Sequence, residues 1–332
     1  MRVAVIGAGA VGGTIAALLD KAGHSVDVTA RGEHLAAIVV DGLRLSGAWG
    51  DHTAHPHASL VLTRSPDLAI VTAKAQDAEA ALRANAAMIV GIPVVVVQNG
   101  LRSMTVAKRV APRSDIVGGL ALFAASFLSP GQVKVTTAGS TYLGGDLLPT
   151  LYASRVLGAV MPVTSTGNFE GAQWTKLIVN QINALPAITG LSAQEVIGDR
   201  GLRRVMTESM REAVLVGTAK GVEFEKIQGL SNRLLQLLVR LPPALGQALP
   251  LLMGARMGKT PNPGSTLQSI RRHQPTEIDY LNGAVVEVGV ELGVPTPVNR
   301  VLVELVHEVE RTGEFMAPEV VLERIDRPTV IG

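Results

Sequence analysis

A glycine cluster set between a short apolar run and a longer Ala/Leu stretch constrains this chain more than any other feature. Gly7-Ala8-Gly9-Ala10-Val11-Gly12 follows Val3-Ala4-Val5-Ile6 and precedes a helical pattern over residues 14–22. The spacing G-x-G-x-x-G means little alone. Between a strand and a helix it acquires a physical logic. The first glycine permits a tight turn, the second lets the backbone approach a pyrophosphate, and the third brings helix and strand together with the helix N-terminus facing the anion. A glycine turn in some other α/β fold is the alternative.

The rest of the first half agrees with a dinucleotide-binding reading. β-branched runs at residues 25–29, 68–72 and 93–97 alternate with Ala-rich helical stretches such as 75–87, the pattern of a doubly wound parallel sheet. Four successive valines at 94–97 predict a strand buried on both faces. Residues 132–135 and 141–143 read as antiparallel edge strands. After about residue 166 the strand signal stops and helical periods take over. Ser192 with Glu195 reads as a capping box, and Thr276 with Asp279 as a weaker one for a helix closed by Gly293. Thr296-Pro297 reads as the start of another helix that stops near Gly313. The expected architecture is α/β. An N-terminal Rossmann-type doubly wound sheet (1–167, NADP-binding) precedes a C-terminal all-α domain (168–332, substrate and dimerisation).

Composition excludes several other functions. With 332 residues the chain is long enough for two cores. Thirty Lys+Arg against 28 Asp+Glu give a formal charge of +2 without basic clusters, so nucleic acid is not an expected partner. No cysteine is present, which removes disulfides, thiolate nucleophiles and Cys-ligated metals and fits a reducing compartment. Gly7, Gly9, Gly12 and Gly13 interrupt the apolar N-terminus where a signal peptide needs a continuous helix. The apolar stretch 240–256 is too short and too broken by prolines to span a membrane, and short core or interface helices fit it better. A cytoplasmic protein with no membrane partner is expected. His52, His55 and His57 lie in a segment, 51–57, that reads as a surface loop lacking a fourth ligand, so no metal is expected.

The second strand ends Val28-Thr29-Ala30-Arg31, without the acid that commonly holds a ribose 2′-hydroxyl in NAD-binding folds. Arg31 can instead hold a 2′-phosphate by charge-assisted hydrogen bonds. NADPH/NADP is therefore the expected cofactor, with Glu33 as the counter-indication. Lys74 and Asn99 each lie just past a strand, on the edge where such sheets bind ligands; a solvated lysine and an ordinary Asn-Gly turn are the plain alternatives. Lys176, Asn180 and Asn183 fall at i, i+4 and i+7, placing an amine and two amides on one stripe of an otherwise apolar helix. That stripe is either a binding face or an exposed face that happens to hold asparagines. Ser265 and Glu277 taken singly would pass for a turn serine and a helix-dipole acid.

Taken together these motifs resemble the ketopantoate reductase (2-dehydropantoate 2-reductase) family. The matching elements are the glycine motif, Arg31, Thr72-Ala73-Lys74-Ala75, Gln98-Asn99-Gly100, Lys176-Leu177-Ile178-Val179-Asn180, Ser265 and Thr276-Glu277-Ile278-Asp279-Tyr280-Leu281-Asn282-Gly283, in the family's order along nearly the whole chain. The resemblance implies NADPH-dependent reduction of a small 2-oxo acid, 2-dehydropantoate to pantoate, as a step of pantothenate biosynthesis. It implies that Lys176 is the general acid and that Asn99, Lys176, Asn180, Asn183 and Ser265 touch substrate. Gly7 through Gly12, Arg31, Lys74 and Asn99 would hold the cofactor, and Glu277 would act catalytically from the cofactor side. Two departures stand out. Asn183 follows Asn180 by three residues where four is common in the family, and the segment 222–260 is longer and more apolar than in compact members, as a cap or a homodimer contact would be. A reductase of another 2-oxo acid, an opine-type dehydrogenase and a non-catalytic NADP sensor remain the alternatives.

Overall fold

In the computed structural model, which describes residues 1–258 and 261–327, the chain divides into two compact units, Met1–Phe169 and Glu170–Gly332. The first unit runs β1 (Arg2–Ile6), α1 (Ala10–Lys21), β2 (Ser25–Thr29), α2 (Gly32–Asp41), β3 (Leu43–Gly47), β4 (His52–Ala54), β5 (His57–Ser59), β6 (Leu68–Val71) and α3 (Ala75–Asn85). It continues through β7 (Pro93–Val97), α4 (Ser103–Val110), β8 (Asp115–Ala121), β9 (Ala124–Ser129), β10 (Gln132–Thr137), β11 (Thr141–Gly145), α5 (Leu147–Gly158) and β12 (Val163–Ser165). Eight strands form one sheet in the order β12-β11-β8-β7-β6-β1-β2-β5. The six from β8 to β5 are parallel, while β11 pairs antiparallel with β8.

Alternation along the central strands explains why both faces are covered. Val3 and Val5 of β1, with Val95 and Val97 of β7, join the apolar cluster that includes Ile15 and Leu19 of α1. Ala4, Ile6, Val94 and Val96 face the other way, into a cluster with Leu82 of α3 and Ala107 of α4. Every one of these is at most 5% exposed, and each large side chain so buried stabilises the fold by roughly 1.5–3 kcal/mol. The run of valines is therefore a doubly buried strand, as its sequence requires.

Three readings need correction. Strands β10 and β11 do have antiparallel partners, but neither is an edge strand. β10 lies between β3 and β9 in a second sheet ordered β4-β3-β10-β9, and β11 lies between β12 and β8. Residues 51–57 are not a loop, because β4 and β5 occupy most of them. His52 bonds Asp20 of α1 at 2.8 Å, and His57 meets the buried Asp27 at 3.2 Å. The second sheet was not foreseen. It packs on α1, whose residues Gly12 through Leu19 are all buried, so this helix lies between two sheets and lacks the polar face of a surface helix.

The second unit is helical in its described residues apart from an isolated bridge between Ile227 and Leu230. Its elements are α6 (Phe169–Asn180, beginning at the last residue of the first unit), a 3₁₀ turn (Gln181–Asn183), α7 (Ala184–Thr189), α8 (Ala193–Gly198), α9 (Arg200–Ala219), α10 (Asn232–Arg240), α11 (Pro243–Gly246) and α12 (Ala248–Arg256). Then follow α13 (Gly264–Ile270), a second 3₁₀ turn (Ile278–Tyr280), α14 (Asn282–Leu292), α15 (Pro297–Thr312) and α16 (Pro318–Asp326). The segment 222–260 is built mainly of short helices, its last two residues lying outside the described ones. Among the described residues no helix is long and apolar enough to cross a membrane.

Caps decide the helix boundaries. Ser192 and Glu195 form the expected box: Glu195 N donates to Ser192 Oγ at 3.2 Å, and Ser192 N to Glu195 Oε2 at 2.7 Å. Asp199 then ends α8 and caps α9 by accepting from Leu202 N at 2.8 Å, a contact worth about 1 kcal/mol. The weaker box does not form. Thr276 Oγ1 accepts from Ile278 N at 3.3 Å in a local turn, while Asp279 is held by His307 at 2.9 Å. The helix that Gly293 closes starts only at Asn282.

Candidate active site

The glycine turn is pinned by hydroxyl groups from the strands flanking β1. Gly7 N donates to Thr29 Oγ1 at 3.0 Å, and Thr72 Oγ1 donates to Gly7 O at 2.5 Å. Gly7 has φ +102°, which a side chain would resist. A β-carbon on Gly12 would fall 2.0 Å from Gly7 O and 2.2 Å from Thr72 Oγ1, so the third glycine is demanded by close packing. Gly9 differs from both. It has φ −66°, and no heavy atom counted against a β-carbon there lies within 4 Å. Neither conformation nor internal packing asks for glycine at this position, whereas close approach of a pyrophosphate would. Gly9 is also the N-cap of α1, which has no capping side chain and no acid in its first turn. Its first N–H groups are thus disposed for an anion, and the residues present fit a dinucleotide. Ala8, Ala10 and Val11 complete the turn, α1 starting at Ala10 rather than at residue 14.

Arg31 is the exposed N-cap of α2, just beyond β2, and its side chain has no hydrogen-bond or ion-pair partner among the described residues. Glu33 is exposed in the same turn. The carboxylate of β2, Asp27, is buried in mid-strand and engaged by Arg64 at 2.8 Å, so it is committed elsewhere. Lys74 is the half-buried N-cap of α3, and Asn99 is half-buried after β7. Gln98 joins their loops by donating from Nε2 to Ala73 O at 2.6 Å. These four places, the glycine turn, Arg31, Lys74 and Asn99, follow the carboxyl ends of parallel neighbours β1, β2, β6 and β7, the edge where such sheets take ligands.

Thr29, Thr72, Gln98 and His34 were given no role of their own from sequence. The two threonines could have been, as hydroxyl residues ending the strands beside the turn. His34 of α2 could not. Gly131 N donates to its Nδ1 at 2.9 Å, which leaves the proton on Nε2 to bond Ala8 O at 2.7 Å. Burial lowers the pKa of this imidazole, the bond to Ala8 partly opposing.

In the second unit, Lys176 and Asn180 lie four residues apart on α6, but the helix stops at Asn180. Asn183 ends the 3₁₀ turn and is therefore off the α-helical stripe expected for it. Lys176 is half-buried by surface area, and protein packs closely enough around its amine to push the pKa down to about 8 through desolvation. It has no hydrogen-bond or ion-pair partner among the described residues. Asn180 and Asn183 are 6% and 8% exposed. The side chain of Asn183 likewise has no hydrogen-bond partner among the described residues. Its amide lies against Gly264, where a β-carbon would come within 2.6 Å of Asn183 Oδ1. The neighbouring Ser265 is exposed in the first turn of α13, whose N-cap is Pro263, so Ser265 is not itself the cap.

Glu277 is half-buried and opens the 3₁₀ turn before α14; it does not sit in the first turn of an α-helix, so the simple dipole role falls away. Its segment is clamped to α15, with Thr276 N donating to Glu310 Oε1 at 2.7 Å and His307 bonded to both Asp279 and Glu310. The structure thus gathers Gly7 through Gly12, Arg31, Lys74 and Asn99 on one sheet edge. Asn183 and the Ser265 segment come together in the helical unit, with Lys176 and Asn180 on the adjoining helix.

The family described as ketopantoate reductase PanE/ApbA matches residues 3–146, and its C-terminal counterpart matches residues 168–310. Similar curated proteins include the 2-dehydropantoate 2-reductases of Archaeoglobus fulgidus (29% identical, covering 93% of this chain and 98% of that one) and Halobacterium salinarum (29%, 94% and 100%). The crystal structure of a PanE/ApbA family ketopantoate reductase from Ralstonia eutropha JMP134 is 30% identical, with a TM-score of 0.80 over 94% of this chain and 99% of that one. A D-mandelate dehydrogenase solved with NADH and anilino(oxo)acetate shares the fold at a TM-score of 0.81, at 24% identity over 94% of this chain and 99% of that one. With both family halves matched in order, the glycine turn at the sheet edge and the lysine–asparagine helix behind it in sequence, the chain belongs to the ketopantoate reductase PanE/ApbA family and is an oxidoreductase of the kind that uses a nicotinamide cofactor.

Proposed function

We propose that this chain reduces a small 2-oxo acid with NADPH, converting 2-dehydropantoate to pantoate, with Lys176 as the general acid. The observation that carries this reading is a desolvated, unpaired lysine amine on the same helix as Asn180 and just before Asn183. When bound, the nicotinamide supplies the hydride. The chain's own work is to hold the keto acid and to manage the proton. Lys176, as ammonium, hydrogen-bonds the C2 carbonyl oxygen and transfers its proton there as that oxygen gains charge, and the neutral amine then recovers a proton from solvent. A pKa near 8 suits this task, because the acid is charged at neutral pH yet gives up its proton more readily than an ordinary lysine.

Asn180, Asn183 and Ser265 would orient the carboxylate and hydroxyl groups of the substrate, Asn99 would also bind it, and Glu277 would have a catalytic role. Gly7 through Gly12 and Lys74 would receive the dinucleotide, and Arg31 its 2′-phosphate. An amine placed to protonate the carbonyl is unnecessary in a redox sensor, which favours an enzyme. Oxidation of NADPH and of NADH, followed against a panel of 2-oxo acids that includes ketopantoate and an aryl 2-oxo acid, tests the reading. Ketopantoate turned over fastest with NADPH is expected. A preference for the aryl acid with NADH would replace both substrate and cofactor, and binding without turnover would favour the sensor.

A further inference from the structure

Behind the 3₁₀ turn lies a polar network with no exposed member. Gln181, Ser209, Asn282 and Asn299 are each 0% exposed, and Glu212 is 8% exposed. They come from four elements: the turn itself, α9, α14 and α15. Asn282 Nδ2 donates to Gln181 Oε1 at 2.7 Å and to Asn299 Oδ1 at 2.9 Å. Ser209 Oγ lies 2.8 Å from Gln181 Oε1 and 3.0 Å from Asn299 Oδ1 and can donate to either. Gln181 Nε2 donates back to Leu177 O at 3.1 Å. Asn299 Nδ2 donates to Glu212 Oε2 at 2.7 Å, and the same carboxylate takes Val298 N and Asn299 N at 2.9 Å each, capping α15 from a distant helix. The amide orientations are not interchangeable. Turning Asn282 over would place its carbonyl against two acceptor oxygens.

A network of this kind is a poor source of stability, since apolar side chains of similar volume commonly hold a core as well or better. What it does impose is one geometry. Here that geometry belongs to Gln181, which stands between Asn180 and Asn183. A 3₁₀ turn advances about 120° per residue where an α-helix advances about 100°, so three residues of it rotate Asn183 by roughly 60° from the α-helical stripe. That rotation accompanies the placement of Asn183 against Gly264, next to Ser265.

We propose that Gln181, braced by Ser209 and Asn282, is a positioning residue that holds the 3₁₀ turn and so sets the affinity for the 2-oxo acid substrate without touching it. The proposal rests on the reading that Asn183 binds substrate.

Gln181→Met keeps the volume and removes both hydrogen-bonding ends. The full-length variant, Asn183→Ala and the wild type are compared for KM, kcat, NADPH dissociation constant and Tm. For Gln181→Met the KM for ketopantoate should rise about tenfold or more while kcat stays within about threefold, the split expected when substrate placement alone is disturbed. NADPH affinity should not move. A lowered Tm with unchanged KM would show that the network serves only the fold and would overturn the proposal. Should Gln181→Met fail to fold, Ser209→Ala takes its place, and a smaller rise in KM is expected; none overturns the proposal. If Asn183→Ala raises KM and the network variants do not, the inference alone fails. If Asn183→Ala leaves KM unchanged, the reading beneath it fails, and the inference falls with it.

Discussion

The two units build their candidate binding turns in different ways. In the first, the glycine turn takes its shape from six consecutive residues, with Gly7 at φ +102° and Gly12 packed on Gly7 itself, and the hydroxyl groups of Thr29 and Thr72 pin that shape in place. In the second, the turn carrying Asn183 is braced by groups far away in sequence, Gln181 and Asn282 being 101 positions apart. One is shaped locally and pinned by tertiary contacts; the other depends on tertiary contacts for its brace. The difference separates two failure modes. Changes at the glycine turn should appear in cofactor affinity, and changes at the 3₁₀ turn in substrate handling.

The sharpest break of that separation would come from Lys176. Loss of a general acid costs about 10²–10⁴-fold in rate, so Lys176→Ala should lose kcat on that scale while NADPH affinity, measured by titration of the cofactor's fluorescence, stays as in wild type. An equal loss in cofactor binding would blur the two units. Next in size is Arg31→Ala. One charge-assisted hydrogen bond is worth about 1.5–3 kcal/mol, so NADPH should bind about 10–10²-fold more weakly with NADH hardly affected. Identical effects on the two cofactors would remove Arg31 from the 2′-phosphate.

The pH dependence is expected to be milder. Because the ammonium form of Lys176 is the acid and its pKa lies at about 8, kcat for reduction should fall about tenfold per pH unit above that value. Oxidation of pantoate needs the neutral amine and should rise over the same interval. A reduction rate that is flat from pH 7 to 9 would take the proton-donor role away from this lysine.

The smallest effects distinguish glycines within one motif. Gly12→Ala forces a β-carbon onto Gly7 O and Thr72 Oγ1 and should cost about 1–3 kcal/mol, a Tm drop of several degrees by thermal denaturation. Gly9→Ala meets no such atom within 4 Å and should leave Tm unchanged while weakening NADPH binding. If Gly9→Ala also lowered Tm and left NADPH binding alone, its glycine would be structural.

Legibility in the sequence follows the same division. The glycine turn, the doubly buried β7 and the Ser192 box are each signalled by residues within a few positions of one another, and all are present in the structure. The second sheet was missed because β3 and β4 are short and half-exposed, and β10 gains its internal place by pairing with β3, nearly ninety residues earlier. The Thr276 box was misplaced because Asp279 finds a stronger partner in His307, 28 positions away. Asn183 looked like the third member of a helical stripe. Nothing local reveals that Gln181 lies among Ser209, Asn282 and Asn299, although an amide within an apolar helical run was a hint that it needed partners.

His34 gives the glycine turn an intrinsic reporter. Its ring is held as a single tautomer between Ala8 O and Gly131 N, joining the turn to the loop between β9 and β10. An imidazole fixed in this way shows distinct nitrogen resonances for its protonated and unprotonated positions, and both depend on the lengths of the two bonds. Nitrogen-15 spectra of His34 in isotopically enriched protein would therefore register any displacement of the turn, with no foreign probe attached and no residue of the turn replaced. A seven-histidine protein offers few other signals to confuse with it.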